Sequence, residues 1–185
     1  VQPPTPDDGE AEKTARSRSI LFLALGTAVA SSYGKPLPLY VPENGLISLN
    51  PPLTDARMGS LSTRTTHPHF IELFRQLLNA LDTGVTVETP YRFATKGEMV
   101  KRVRRNKAFK EGVHDTISCS HPDVGRYQGA SPGQHCGYCV PCIIRRAALS
   151  KAGIDDPDMY LTDIQSDPPE RGSSTSRDLR QFEMA

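Results

Sequence analysis

The stretch from Pro68 to Val100, PHFIELFRQLLNALDTGVTVETPYRFATKGEMV, decides the fold. Pro68 suits the first turn of a helix, where its missing N–H costs nothing, and Phe70, Leu73, Phe74, Leu77, Leu78 and Leu81 recur at intervals of three and four. A helix over HFIELFRQLLNALD follows. Gly84 closes it, and VTVETP brings β-branched residues at Val85, Thr86 and Val87, the mark of a short strand. Thr95 is placed to cap another helix, TKGEMVKRVRRN.

Working outward, Ser17 or Ser19 can cap a helix running to about Ser32, with Gly34 just past its end. Its run ILFLALGTAVA is nearly all apolar, which implies burial on most sides against a sheet. PLPLYVP then reads as a strand near Leu37 to Val41, punctuated by Pro36, Pro38 and Pro42. The order helix, strand, helix, strand, helix predicts an α/β layer with parallel strands and right-handed crossovers. Downstream, Val140 to Ala152 reads as a last helix with Cys142 in its first turn. No internal repeat is visible.

The chain has 185 residues, 37% of them apolar, with six Phe, six Tyr and no Trp, enough for one domain with a modest core. Residues 1–15 carry Pro and acids without apolar periodicity and are expected to be a disordered tail or linker; residues 166–185 are read the same way. Arg16, Arg18 and the apolar run after them imitate a signal peptide. The acidic segment before them argues against it, the run is too short to span a bilayer, and clustered thiols suit a reducing compartment, so a cytoplasmic protein away from membranes is expected.

All four cysteines, Cys119, Cys136, Cys139 and Cys142, fall in ISCSHPDVGRYQGASPGQHCGYCVPCIIRR, residues 117–146. Three sulfurs at intervals of three, with a fourth returned by a loop, can surround one cation tetrahedrally as a closed structural zinc site. Two alternatives stay open from spacing alone. Paired disulfides would be strained between residues so close, and an iron–sulfur cluster of ferredoxin type would want a further Cys followed by Pro. His114, His121 and His135 lie near enough to replace a sulfur, but the thiolate count is already complete, which points them to supporting or surface roles.

In parallel α/β sheets ligands bind beyond the carboxyl ends of the strands, here YVPENG and TPYRFATK. The long polar segment from Pro42 to His67 leaves the first of these ends and is dense in hydrogen-bonding groups, as a structureless functional loop would be. Lys96 at the start of a helix adds positive charge to the positive end of the dipole and calls for an anion, for which phosphate is suited. From Arg92 to Lys110 eight cations face one acid, Glu98, which could grip nucleic acid, although a solvated helix face is favoured because aromatic platforms are sparse.

The C-x2-C-x2-C pattern followed by Arg145 and Arg146, with TPYRFATKGEMV before it, resembles the carboxyl half of the 7-cyano-7-deazaguanine synthase (QueC) family. RSRSILFLALGTAVA, PENGLISLNPPL and RMGSLSTRTTHPHF are similar to the QueC-like proteins of Qat-type antiphage defence. The resemblance implies that residues 16–165 are the carboxyl-terminal part of an adenine nucleotide α-hydrolase-like (PP-loop ATP pyrophosphatase) domain, with a zinc-binding segment over 117–152 and a terminal helix. It implies one structural zinc on Cys119, Cys136, Cys139 and Cys142, and ATP with magnesium in a full-length parent. The implied chemistry adenylates a carboxylate, 7-carboxy-7-deazaguanine or a related deazapurine-like substrate, and displaces AMP with a nitrogen nucleophile; a defence-system protein partner is implied beside it.

Residue by residue, the resemblance puts Lys96 near the nucleotide phosphates and Arg18 on the same cleft. Arg57, Ser62, Thr63, Arg64 and His67 belong to the defence-type loop as candidate substrate contacts, and no general base is assigned. The family's S-G-G-x-D-S phosphate loop occurs nowhere in the chain. Its absence implies an amino-terminally truncated fragment that is inactive by itself, because backbone N–H groups in such a loop hold the pyrophosphate. A zinc-bearing nucleic-acid module and a catalytically dead scaffold subunit are the alternatives.

Overall fold

The computed structural model describes residues 16–34, 37–49, 51, 66–124 and 133–184. They fall into two compact units divided between Ala94 and Thr95.

The first unit is built on a parallel strand pair, β1 (Pro38–Tyr40) and β2 (Thr86–Glu88), with Leu39 opposite Val87. Helix α1 (Arg16–Ser31) packs on β1 and helix α3 (Pro68–Ala80) on β2. The core joins Leu23 and Ala30 of α1, Ile71, Phe74 and Leu78 of α3, and Val85 and Val87. A Cβ on Gly26 would lie 3.0 Å from Leu39 Cδ1, so the missing side chain lets α1 approach the strand. The expected α/β arrangement with parallel strands is present.

Two expectations about burial are corrected. Helix α1 is not buried on most sides: Ser19, Leu23, Thr27 and Ala30 form the buried stripe, whereas Phe22 and Val29 are each 61% exposed. On α3 the buried residues are Ile71, Phe74 and Leu78, while Leu73, Leu77 and Leu81 face outward. Both helices carry apolar residues around more of their circumference than one thin strand pair can cover. In the segment read as a structureless loop, helix α2 (Gly45–Leu49) forms, with Asn44 Oδ1 accepting from the Ile47 N–H at 3.2 Å.

The second unit opens with α4 (Lys96–Val103), whose start carries the full capping box: Thr95 Oγ1 accepts from the Glu98 N–H and Glu98 accepts from the Thr95 N–H. The helix expected to run through Asn106 stops at Val103, and Asn106 instead caps α5 (Lys107–Gly112) by accepting from the Phe109 N–H. Helix α6 (Val140–Ala152) has the bounds read from sequence, and Gly153 in the left-handed region ends it. Gly97 of α4 sits against Ala148 and Lys151 of α6, and Arg104 donates to the Ala152 carbonyl at 2.9 Å, occupying an end group the helix cannot satisfy itself.

The closing residues depart from the expected loose tail. Ser174–Ser176 make a 3-10 turn, Arg177–Met184 form helix α7, Ser176 is buried, and Asp178 reaches α6. Composition hid this because Ser and Arg are as common in capped short helices as in disordered tails. Residues 1–15 lie outside the described residues.

Candidate metal centre

The sequence reaches the centre along three paths. Cys119 lies on the segment leaving α5, Cys136 and Cys139 lie on the loop before α6, and Cys142 is in the first turn of α6. A short parallel bridge between His135 and Tyr160 clamps the loop: the His135 N–H donates to the Met159 carbonyl at 2.9 Å and the Leu161 N–H to the His135 carbonyl at 2.8 Å. Gly137, at φ +88°, brings its backbone so close to the Thr162 carbonyl that any Cβ would collide with it. The loop is therefore held in the tight bend that turns Cys136 and Cys139 inward.

The sulfurs meet. Cys119 Sγ is 4.0 Å from Cys139 Sγ, and Cys136 Sγ is 3.9 Å from Cys142 Sγ. Four thiolates at about 2.3 Å from one zinc lie about 3.8 Å apart at the edges of a tetrahedron, and these two distances match two such edges. A disulfide would need about 2.05 Å, and all four cysteines are free. Cys136, Cys139 and Cys142 are buried, while Cys119 is half-buried.

Backbone donors support the sulfurs. Ser120 N–H points to Cys139 Sγ at 3.4 Å, and the N–H groups of His121 and Cys136 point to Cys119 Sγ at 3.3 and 3.4 Å. The thiols titrate as a unit: Cys139 is pulled well below the usual thiol range, first by the hydrogen bond from Cys136, while that shared bond pushes Cys136 up to about 12 and Cys142 is also raised. Without a cation only one negative charge is comfortable among Cys136, Cys139 and Cys142, and a divalent ion is what would let the other two ionise.

Histidine offers variants of the same cage. Nδ1 of His121 is 3.8 Å from Cys136 Sγ, and ligand atoms of Cys119, His121, Cys136 and Cys139 lie within 4.8 Å of one another, as do those of Cys119, His135 and Cys142. His135 is 1% exposed, its ring tilted against Tyr160 with centroids 5.8 Å apart, and burial lowers its pKa, which favours the neutral ring. A neutral ring beside sulfurs can donate N–H···S or ligate. His121 lies tilted against Tyr138 at the exposed rim.

The other sequence candidates are scattered. Arg18 is exposed on α1, and His67 is the N-cap of α3, its Nδ1 accepting from the His69 N–H at 3.3 Å. Arg57, Ser62, Thr63 and Arg64 lie outside the described residues. Lys96 begins α4, whose first turn also holds Glu98, its carboxyl held low chiefly by the Thr95 N–H. In the basic run Arg104 is spent on the Ala152 carbonyl, and Lys101, Arg102, Arg105, Lys107 and Lys110 are exposed.

Two buried arginines follow the cysteines, and their roles were not legible beforehand. Arg146 pairs with Asp155 at 3.1 Å and with Asp163, and lies over the Tyr160 ring at 5.2 Å. Arg145 donates to Thr116 Oγ1 at 2.7 Å and to the Val113 carbonyl at 2.6 Å. The only available signal was a charge pair placed where the helix needed apolar residues.

Residues 65–153, which hold all four cysteines, match the family model of queuosine biosynthesis protein QueC. Over this part the chain is similar to QueC. It is similar to the 7-cyano-7-deazaguanine synthase of Legionella pneumophila (strain Paris), 26% identical over 155 residues that make up 78% of this chain and 56% of that protein. It is 38% identical over 96 residues to the 7-cyano-7-deazaguanine synthase of Brucella ovis, covering 50% of this chain and 36% of that protein. The chain thus spans about half or less of the length of these curated relatives. No solved structure matches it. The matched family implies an adenine nucleotide α-hydrolase-like fold; the described residues are helix-rich with one parallel strand pair. No helix among the described residues is long and apolar enough to cross a membrane.

Proposed function

We propose that this chain is the zinc-bearing part of an ATP-dependent QueC-like ligase, one that adenylates a carboxylate and replaces AMP with a nitrogen nucleophile. The observation carrying this reading is the set of sulfurs at tetrahedral-edge spacing inside the QueC-matched segment. Cys119, Cys136, Cys139 and Cys142 would hold one zinc, with His121 and His135 beside it. Bound there, zinc supplies cross-linking of three chain segments rather than chemistry on substrate, since four thiolates leave no open position.

The reading extends to a cytoplasmic enzyme of Qat-type antiphage defence, with 7-carboxy-7-deazaguanine or a related carboxylate as substrate and magnesium with the nucleotide. A partner protein of the defence system would receive or present the product. ATP chemistry would need the S-G-G-x-D-S segment, which these 185 residues do not contain, so the chain alone is proposed to be inactive. Arg18, His67 and Lys96 remain candidate contacts under this reading, with Arg57, Ser62, Thr63 and Arg64.

The test is carboxylate-dependent conversion of ATP to AMP and pyrophosphate. A polypeptide joining this chain to an S-G-G-x-D-S segment is expected to form AMP with 7-carboxy-7-deazaguanine and ammonia, and the chain alone is not. AMP formation indifferent to any carboxylate, or none at all from the joined polypeptide, would overturn the ligase reading in favour of a scaffold.

A further inference from the structure

The cysteine cage has a further donor on its open side. Ligand atoms of Cys119, His121, Cys136 and Cys139 all lie within 4.8 Å of one another, a full four-ligand set that does without Cys142. His121 Nδ1 is 3.8 Å from Cys136 Sγ. A nitrogen at about 2.05 Å and a sulfur at about 2.3 Å from one tetrahedral zinc stand about 3.6 Å apart, so the imidazole is close to a ligand's place along that edge. Cys142 Sγ, 3.9 Å from the same sulfur, is placed as well. His121 and Cys142 therefore compete for one vertex of the tetrahedron.

The two competitors differ in access. Cys142 is 0% exposed in the first turn of α6, whereas His121 is exposed and follows two residues after the half-buried Cys119. Two contacts hold His121 over the cage. Its own N–H donates to Cys119 Sγ at 3.3 Å, and its ring leans on Tyr138, which stands between Cys136 and Cys139 in the chain, with centroids 5.7 Å apart. A side chain already placed in this way loses little freedom on binding. His135 is differently situated: it shares a set with Cys119 and Cys142, one donor short of a tetrahedron, and at 1% exposure it offers no path from solvent. A cation arriving from water meets Cys119 and His121 before it meets Cys142.

We propose that His121 is the entry ligand of the cage. With Cys119, Cys136 and Cys139 it takes up the cation through Nδ1, and it then yields its place to Cys142. In that exchange the bond from the metal to Nδ1 breaks, the bond to Cys142 Sγ forms, and the Cys142 thiol proton passes to water. Imidazole is a ready zinc ligand, and a donor set that forms at the rim gives a site closed by four thiolates the path it otherwise lacks. The inference rests on the cysteines holding a metal, as proposed above, and not on the ligase chemistry.

The experiment uses the full 185-residue chain with zinc and with cobalt(II) as a coloured substitute. Cys142→Ser should still bind one cobalt, with sulfur-to-metal charge-transfer absorption lower by about a quarter than in wild type, because three thiolates remain and His121 fills the fourth place. Adding His121→Ala to Cys142→Ser should weaken cobalt at least about tenfold, since even partners outside the ligand shell are worth ten- to a hundredfold. His121→Ala alone should keep one zinc at equilibrium but acquire it from a competing chelator about tenfold more slowly. This last variant keeps all four thiolates, so it decides the matter if Cys142→Ser does not fold. Zinc uptake by His121→Ala at the wild-type rate would overturn the proposal, as would cobalt held equally by Cys142→Ser with and without His121. A wild-type chain that takes up neither metal would instead remove the metal centre itself, and this inference with it.

Discussion

Asp163 shows what a single residue does here. Arg146 is 2% exposed, and its charge is tolerated only because Asp155 and Asp163 both reach it. The Asp163 carboxyl is held well below its ordinary value of 3.8, first by the Ser166 hydroxyl and then by Arg146. A depressed carboxyl pKa adds stability that is complete above the unfolded value and disappears as the pH falls from there towards the folded one. Asp163→Asn is therefore expected to lower the urea midpoint at neutral pH, and the gap to wild type should close as the pH drops below about 4. Taking the difference cancels acid effects on the cysteines; a gap unchanged down to about pH 3 would contradict the assignment. None of this was legible in the sequence, because Arg146 and Asp163 sit 17 positions apart and nothing local marks the pairing.

At the scale of elements, helix α6 has an unusual beginning. Its N-cap is Cys139, which makes no side-chain capping bond because its sulfur belongs to the cage. The Val140 N–H is satisfied instead by Asp178 Oδ2 of α7 at 3.0 Å, a carboxylate placed at the positive end of the helix dipole. Asp178→Ala should cost about 1–2 kcal/mol in chemical denaturation, the usual size of a lost cap. A loss under about 0.3 kcal/mol would mean that water replaces the carboxylate without penalty. The bounds of α6 and the capping of α4 were readable because Pro141, Gly153, Thr95 and Glu98 act within one turn of themselves. Helix α7 was missed because its anchoring residue acts across 38 positions. Likewise α5 was merged into α4, since a basic run shows no periodic break and only the Asn106 cap marks the division.

For the whole molecule, the two units rest on different forces. Residues 68–88 are held by apolar packing of α3 on β2, whereas residues 134–163 converge on sulfurs that need a cation to be charged together. Structural zinc contributes roughly 10–16 kcal/mol to folding in small domains, as much as an entire domain's stability. Removing metal with a chelator, or by Cys139→Ser, should accelerate amide exchange over residues 134–163 and leave residues 68–88 protected. Metal analysis of the untreated chain should find about one zinc per chain. Uniform exchange across both segments, or none after chelation, would refute a metal-held second unit.

By itself the sequence determined the helix–strand–helix order, the parallel pairing and the gathering of every thiol in one window, because periodicity, caps and ligand spacing are local and act through few degrees of freedom. Tertiary structure alone decided which faces of α1 and α3 are buried, that Arg146 meets two carboxylates, and that the closing helix caps α6. Each of these depends on which distant groups share a place once water has been expelled, and the strength of a charge or hydrogen bond there is set by those neighbours rather than by adjacent residues.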